Sequence, residues 1–308
     1  MKLAPIKNAI VYKATLPDAD ALAEHLKEVL FTDLGESDVR RAGFVPNLLT
    51  SELVTPYQGG LSVSLRIDEK ILPPKVISRE LAERRANMER NLGLKLKRAE
   101  VRDLRDAVIM ELVKQAFVKT TIINAYYSIE NNLLIVTTGS KPFASLLVSY
   151  LIRAVGSVKT ETIHISDIKH GLTTKLKAYL DGDKAAFQGF EVGDFIQLSR
   201  KADQKEIIRY QAEVESITDE LQENLSVGYI VDLIKIYLSD VSFLLTENFH
   251  FKRIDLRDAL DTDEEDTEDI AWRWRHEAAV ATLQLTNVVN TLCILLSYKP
   301  TEKEINPQ

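Results

Sequence analysis

Residues 68–119 constrain the fold of this chain most strongly, because they predict two charged helices between two strands. The strand Leu61 to Ile67 alternates apolar and polar side chains and is followed by Leu72-Pro73-Pro74. Proline fixes φ and disfavours helical geometry in the residue before it, so regular structure is interrupted there. Helical periodicity then predicts one helix over Lys75 to Leu92 and another over about Ala99 to Phe117. The segment is therefore predicted to be a helical hairpin that projects from a sheet.

The rest of the chain predicts an α+β fold built on antiparallel sheets. A helix that begins at Pro17 places Leu22, Leu26 and Leu30 on one face, and another helix covers Lys141 to Val155. The order of elements after the hairpin partly repeats that of the first 65 residues, which suggests a duplicated α+β unit. Further strands are predicted at Asn8 to Ala14, Thr121 to Ser128, Leu133 to Thr138, Phe190 to Leu198, Ile207 to Val214, Tyr229 to Leu238 and Ser242 to Ile254.

These elements predict three domains. Residues 1–70 and 120–190 form a central α+β domain, and residues 71–119 form the hairpin between its two parts. Residues 191–308 form a C-terminal α+β domain that ends in a long helix.

The long terminal helix raises the question of a membrane span. Ala278 to Tyr298 carries no charged residue and is nearly long enough to cross a bilayer. It contains Gln284, Asn287 and Asn290, and no cluster of lysine and arginine flanks only one of its ends. A buried core helix or a subunit-contact helix is the favoured interpretation, with no membrane association.

Motifs for catalysis and for metal or cofactor binding are absent from the sequence. Neither a glycine-rich phosphate loop nor a GxSxG or HExxH motif occurs, and Cys293 lies in an apolar run. The acidic run Asp261 to Asp269 lacks the glycine and the ligand spacing of a calcium loop, so a solvated, helix-capping loop is expected. We therefore expect no catalytic residue, no metal and no cofactor. A metal-dependent nuclease stays an alternative, because its acidic ligands can be far apart in sequence.

The predicted hairpin also concentrates positive charge. Between Lys70 and Lys119 there are 13 lysine and arginine residues against 7 acidic ones, whereas the whole chain has a net charge of −7. Such a segment can contact successive phosphates of a polyanion without sequence preference. Interleaved glutamates also fit an ordinary solvated hairpin, which the charge pattern alone favours, or a scaffold that docks an acidic partner. The candidate DNA-binding residues are Lys75, Arg79, Arg84, Arg85, Arg90, Lys95, Lys97, Arg98, Arg102 and Arg105.

Several motifs resemble the recombination-associated RdgC family of bacteria. They include EKILPPKVI from Glu69, LKLKRAE from Leu94 and the QAF triplet that ends at Phe117. IKNAIVYK near the start and the Gly43 to Pro46 run also match, and the similarity extends over roughly residues 5 to 190.

The resemblance implies a non-enzymatic protein of the cytoplasm and nucleoid that binds double-stranded DNA. It implies horseshoe-shaped subunits that close into a homodimeric ring around the duplex and limit the access of RecA during recombination. Phe117 matches an aromatic residue near a subunit contact, although the helical pattern alone predicts a core phenylalanine. The family has a lysine-rich turn where Ile208 to Glu215 keeps only Arg209. Arg200, Lys201 and Lys205 lie just upstream and are candidates to compensate.

Overall fold

The computed structural model of the protein describes residues 3–156, 158, 160–162, 171–256 and 269–297. It has an α+β fold, as predicted, with seven α-helices and twelve strands among the described residues. All twelve strands belong to one sheet in which every strand pair is antiparallel, where the sequence suggested separate sheets. Separate sheets could not be distinguished from a continuous one by strand patterns, because pairing between distant strands leaves no local signal.

Most predicted elements are present. The helices are α1 (Ala19–Leu26), α2 (Pro74–Leu92), α3 (Arg98–Gln115), α4 (Lys141–Val155), α5 (Gly171–Leu180), α6 (Thr218–Ser226) and α7 (Ile270–Leu295). The strands are β1 (Asn8–Ala14), β2 (Arg40–Val45), β3 (Val54–Tyr57), β4 (Gly60–Lys70), β5 (Val118–Ser128), β6 (Leu133–Val136), β7 (Thr160–Thr162), β8 (Glu191–Lys201), β9 (Lys205–Gln211), β10 (Ile230–Leu238), β11 (Val241–Thr246) and β12 (His250–Asp255).

The sheet runs in the order β2-β4-β5-β6-β1-β12-β11-β10-β8-β9, with β3 beside β4 and β7 beside β1. Strand β1 lies near its middle and is buried on both faces. Ile10 and Tyr12 face one core and Ala9 and Val11 face the other, as their alternation predicted. The hairpin α2–α3 connects β4 to β5, two neighbouring strands near one end of this sheet.

Two hydrophobic cores cover opposite faces of the sheet. On one face, α1 and α4 pack against the N-terminal strands, and Leu65 is among the fully buried side chains. On the other face, α5, α6 and α7 pack against the strands of both halves. By length and composition alone, helix α7 could cross a membrane. However, its Trp274 is buried and stacks on Tyr126 with a centroid distance of 6.0 Å, which supports the core-helix interpretation.

Two local predictions were wrong, and two helices were missed. The expected strand Ser242 to Ile254 is two strands, because the chain turns after Thr246 and Phe249 adopts a φ of +59°. Helix α1 ends at Leu26, so Leu30 lies outside it and is 42% exposed. Helices α5 and α6 were not predicted, although Leu221 and Leu225 are buried one turn apart in α6.

One capping prediction is confirmed. Asp269, the last residue of the acidic run, accepts hydrogen bonds from the backbone N–H groups of Ala271 and Trp272 at 2.9 and 3.0 Å. These bonds satisfy free donors at the start of α7. The other residues of that run, 261–268, lie outside the described residues.

Candidate nucleic-acid interface

The hairpin α2–α3 has little hydrophobic core of its own. Helix α2 begins with Pro74 at its first turn and is followed by Gly93, whose φ of +66° is the left-handed conformation that glycine adopts easily. No residue of α2 is buried, and in α3 only Val108 and Val113 are. Leu104 and Leu112 of α3 are only partly buried, because a two-helix hairpin covers each helix on one side. Most side chains of the hairpin are therefore available to a ligand.

Ion pairs stabilise the contact between the two helices. The guanidinium of Arg84 donates from Nε to Glu80 at 2.7 Å within α2 and from Nη2 to Glu111 of α3 at 2.6 Å. The hydrogen bond from Arg84 holds the pKa of Glu111 below its ordinary value. Arg84 was predicted to bind DNA, but in the structure its charge is shared between two carboxylates.

A second ion pair fixes the turn of the hairpin. Arg85 donates from Nε to Glu89 at 2.9 Å, and the same carboxylate oxygen accepts the backbone N–H of Leu96 at 3.0 Å. The bond from Arg85, followed by that from Leu96, lowers the pKa of Glu89. Arg85 thus helps to hold the turn, and its charge is also partly neutralised.

The two long faces of the hairpin carry opposite charge. One face has a groove of about 330 Å³ lined by Ser78, Ala82 and Ala86 of α2 and by Val101 of α3, among others. Residues three before and four after a helical position share its side. Arg98 and Arg105 are the neighbours of Val101 at this spacing, and Arg102 lies beside them, 3.8 Å from Asp103. Since Arg85 and Glu89, which also line the groove, pair with each other, these arginines make the groove side basic. We call this the basic face; its α3 arginines are Arg98, Arg102 and Arg105.

The opposite face is acidic. Glu100 and Glu111 are three turns apart on α3 and lie about 160° to 180° around the helix from Arg102. Glu80 of α2 reaches the same side, since it shares Arg84 with Glu111. The sequence could not assign these faces, because the side of α2 that meets α3 is set by tertiary packing.

The remaining predicted DNA-binding residues are exposed at other places on the hairpin. Lys75, Arg79 and Arg90 lie on the side of α2 that points away from α3, and Lys95 and Lys97 lie in or beside the turn. The structure therefore brings Arg98, Arg102 and Arg105 together and does not bring all ten residues onto one surface. Sequence reasoning missed the groove residues Ser78, Ala82 and Ala86, which their i, i+4, i+8 spacing could have indicated.

Phe117 lies at the root of the hairpin and is 83% exposed. Its carbonyl accepts the backbone N–H of Ile71 at 2.8 Å, which closes the hairpin onto the sheet. Ile71 and Val118 are also about half exposed. The core position that the helical pattern predicted for Phe117 is therefore wrong, because the chain leaves α3 before this residue. A large exposed aromatic side chain is available here for a contact with another molecule.

At the far end of the sheet, the basic residues of β8 and β9 are largely partnered. Arg200 donates to Glu206 at 2.7 Å and lies over the ring of Tyr229 at 4.7 Å. Lys205 pairs with Asp232 at 3.2 Å. Of the three cations that could replace the family's lysine-rich turn, only Lys201 has no ion pair within the described part of the chain.

The described residues provide little for catalysis. Among them, no group of three histidine, cysteine, aspartate or glutamate side chains is arranged to hold a metal ion. Burial raises the pKa of the Cys293 thiol to about 11, so it is protonated at neutral pH. The exposed basic face is therefore the strongest candidate site in the described structure.

Comparison with known proteins agrees with the resemblance seen in the sequence. A family model described as "Putative exonuclease, RdgC" matches residues 6–298. Proteins named "Recombination-associated protein RdgC" are similar over most of their length. The one from Psychromonas ingrahamii is 28% identical over 291 residues, which cover 92% of this chain and 95% of that protein. The one from Neisseria meningitidis serogroup C is 27% identical over 263 residues, covering 84% and 86%. With a match that spans nearly all of its length, this chain belongs to the RdgC family.

Proposed function

We propose that this protein binds double-stranded DNA without sequence preference and acts in recombination as a homodimeric ring that limits the access of RecA. The single observation that carries the DNA-binding part is the basic face, where Arg98, Arg102 and Arg105 lie exposed along one side of α3. Their spacing suits contacts with successive phosphates, which give affinity but carry no sequence information.

The family and the architecture support the remaining parts of this proposal. The similar proteins are named recombination-associated, and an acidic chain can bind DNA if only its inner surface is basic. The exposed Phe117 beside the hairpin offers a subunit contact. A protein that binds chromosomal DNA must be located where that DNA is. The proposal therefore includes a cytoplasmic, nucleoid-associated location.

Salt-dependent binding tests the proposal directly. Fluorescence anisotropy with two labelled duplexes of unrelated sequence should give equal affinities within about twofold. Three phosphate contacts predict a loss of at least about 40-fold between 50 and 200 mM salt, since each released counterion steepens the dependence. Affinity that does not change with salt, or a strong preference for one duplex, would contradict the proposal. Sedimentation of the free protein checks the dimer, and a strict monomer would contradict the ring.

The family description favours one alternative, an exonuclease. The same labelled duplexes, incubated with Mg²⁺ or Mn²⁺ and resolved on a denaturing gel, separate the two functions. Our proposal predicts intact DNA at protein concentrations that saturate binding. Shortened products that disappear when the metal is chelated would instead identify a metal-dependent nuclease.

A further inference from the structure

The C-terminal half of the sheet contains a polar cavity that the proposed function does not use. The cavity has a volume of about 600 Å³ and lies across β8, β10, β11 and β12, beside the turn at residues 239–240. Two of its lining residues, Lys235 and Tyr237, alternate along β10 with the core residues Ile234 and Ile236. Alternate residues of a strand point to opposite faces, so the cavity lies on the face turned away from α5, α6 and α7.

An irregularity in the pairing of β8 with β10 shapes one wall of this cavity. Residues 193–195 of β8 lie opposite the single residue Lys235 of β10. Adjacent side chains of a regular strand point to opposite faces, yet Asp194 and Phe195 both line the cavity. Extra residues of this kind are common beside functional sites, where they redirect side chains.

A second irregularity acts on Arg253. Two residues of β12, Arg253 and Ile254, lie opposite Phe243 of β11, and Arg253 has a φ of +49°. This left-handed conformation is uncommon for a residue other than glycine, and such strain is concentrated at functional sites. Arg253 lines the cavity, is exposed and has no ion pair within the described part of the chain. Its guanidinium group is therefore free to bind a ligand.

The ammonium group of Lys235 is held in place at the same cavity. Its Nζ donates to Asp194 at 2.9 Å and lies 5.1 Å from the centroid of the Tyr237 ring. Gly193 makes this packing possible, because a Cβ at that position would lie 2.7 Å from the Tyr237 ring and 3.0 Å from Cγ of Lys235. An ammonium group has three N–H donors, so Lys235 keeps donor capacity for a ligand.

The donors at the cavity suit the oxygens of a phosphate group. Arg253 and Lys235 are cations, and the hydroxyls of Ser239 and Ser242 also line the cavity. Charged donors form short, strong hydrogen bonds to phosphate, and an arginine can form two at once.

The other lining groups select the kind of phosphate. The carboxylates of Asp194, Asp240 and Asp255 would repel a polyanion that brought several phosphates past them. A ligand with a single phosphate avoids this, and its hydroxyl or amino groups can donate to carboxylates. The aromatic rings of Phe195 and Tyr237 offer an apolar surface to a planar base.

We propose that this cavity binds a free mononucleotide, with its phosphate at Arg253 and Lys235 and its base beside Phe195 and Tyr237. The inference goes beyond the proposed function, because it assigns a small-molecule ligand to a part of the sheet remote in strand order from the DNA-binding hairpin.

Isothermal titration calorimetry tests the ligand class. The probes are the four ribonucleoside 5′-monophosphates, and at least one should bind with one site per chain. Its nucleoside, which lacks the phosphate, and ribose 5-phosphate, which lacks the base, should each bind at least about tenfold more weakly. No binding of any of the four probes, or equal binding of ribose 5-phosphate, would overturn the proposal.

Two matched variants test the position of the phosphate. Arg253→Gln should weaken mononucleotide binding at least about tenfold. Lys252→Gln removes a neighbouring cation of β12 that does not line the cavity, and should change binding by less than about twofold. Equal losses in the two variants, or no loss in Arg253→Gln, would contradict the assignment.

Phe195→Leu tests the position of the base and does not depend on how well Arg253→Gln folds. It should weaken mononucleotide binding about threefold or more and leave the binding of ribose 5-phosphate unchanged. Equal effects on both ligands would contradict a base beside Phe195.

Duplex DNA distinguishes a free mononucleotide from a DNA strand as the ligand. A saturating concentration of duplex without terminal phosphates should leave mononucleotide affinity within about threefold, because the two ligands occupy different surfaces. Competition between the duplex and the mononucleotide would show that the cavity contacts DNA, and would overturn the proposal. Loss of DNA binding with mononucleotide binding intact would overturn the proposed function alone.

Discussion

The sheet and the hairpin of this protein are stabilised by different interactions. The sheet has a hydrophobic core on each face, where residues such as Leu65 and Trp274 are almost completely buried. The hairpin has two buried residues, both in α3, and relies on helix-forming residues and on the bridge from Arg84 to Glu80 and Glu111. A projecting element of this kind can present a row of charges to a ligand, because its surface side chains contribute little to the stability of the sheet.

The largest expected effect is on the free energy of unfolding. It is tested by replacing one leucine in the sheet core and one in the hairpin. Leu65→Ala removes a fully buried side chain from the sheet core and should lower the free energy of unfolding by about 3 kcal/mol. Leu81→Ala removes a half-buried side chain from the hairpin and should cost about 1 kcal/mol or less. Urea denaturation measures both changes. Equal losses would show that the hairpin is as tightly packed as the sheet.

The same difference explains what the sequence could predict. The limits of α2 and α3 were close to correct, since Pro73-Pro74 and Gly93 act locally on the backbone. The apolar stripe of α3 is only partly buried, which its sequence pattern alone could not show. Its burial depends on how many elements cover the helix, and a hairpin provides only one.

The candidate site was only partly predictable for a related reason. Sequence reasoning found the cations, but it could not identify which of them are neutralised. Arg84 and Glu111 are 27 positions apart, so their contact depends on the packing of α2 against α3. The division into a basic and an acidic face depends on the same packing. By contrast, the exposed position of Phe117 follows from a local event, the end of α3 at Gln115.

A smaller effect is expected from acidification. The pKa of Glu111 is lowered below its ordinary value of 4.5 by Arg84, and that of Glu89 by Arg85. A lowered folded-state pKa contributes stability above the unfolded-state pKa, and this contribution is lost as the pH falls through the folded-state value. Below about pH 4.5, protection against amide hydrogen exchange, relative to the intrinsic rate at each pH, should therefore fall more in the hairpin than in the sheet core.

Arg84→Gln is the control for that measurement. This variant lacks the bridge to Glu111 at every pH, so its hairpin should be less protected at neutral pH, and that protection should change less on acidification. An unchanged pH response in the variant would show that the bridge does not stabilise the hairpin.

The most direct test of the account compares two cations of α3. Arg102 on the basic face and Lys114 are both exposed and lie about 120° apart around the helix. Replacing either with glutamate changes the net charge equally. Titration of labelled duplexes should show that Arg102→Glu weakens binding about tenfold for every sequence, whereas Lys114→Glu changes it by less than about threefold. Equal effects of the two substitutions, or no effect of Arg102→Glu, would contradict the claim that the basic face binds DNA.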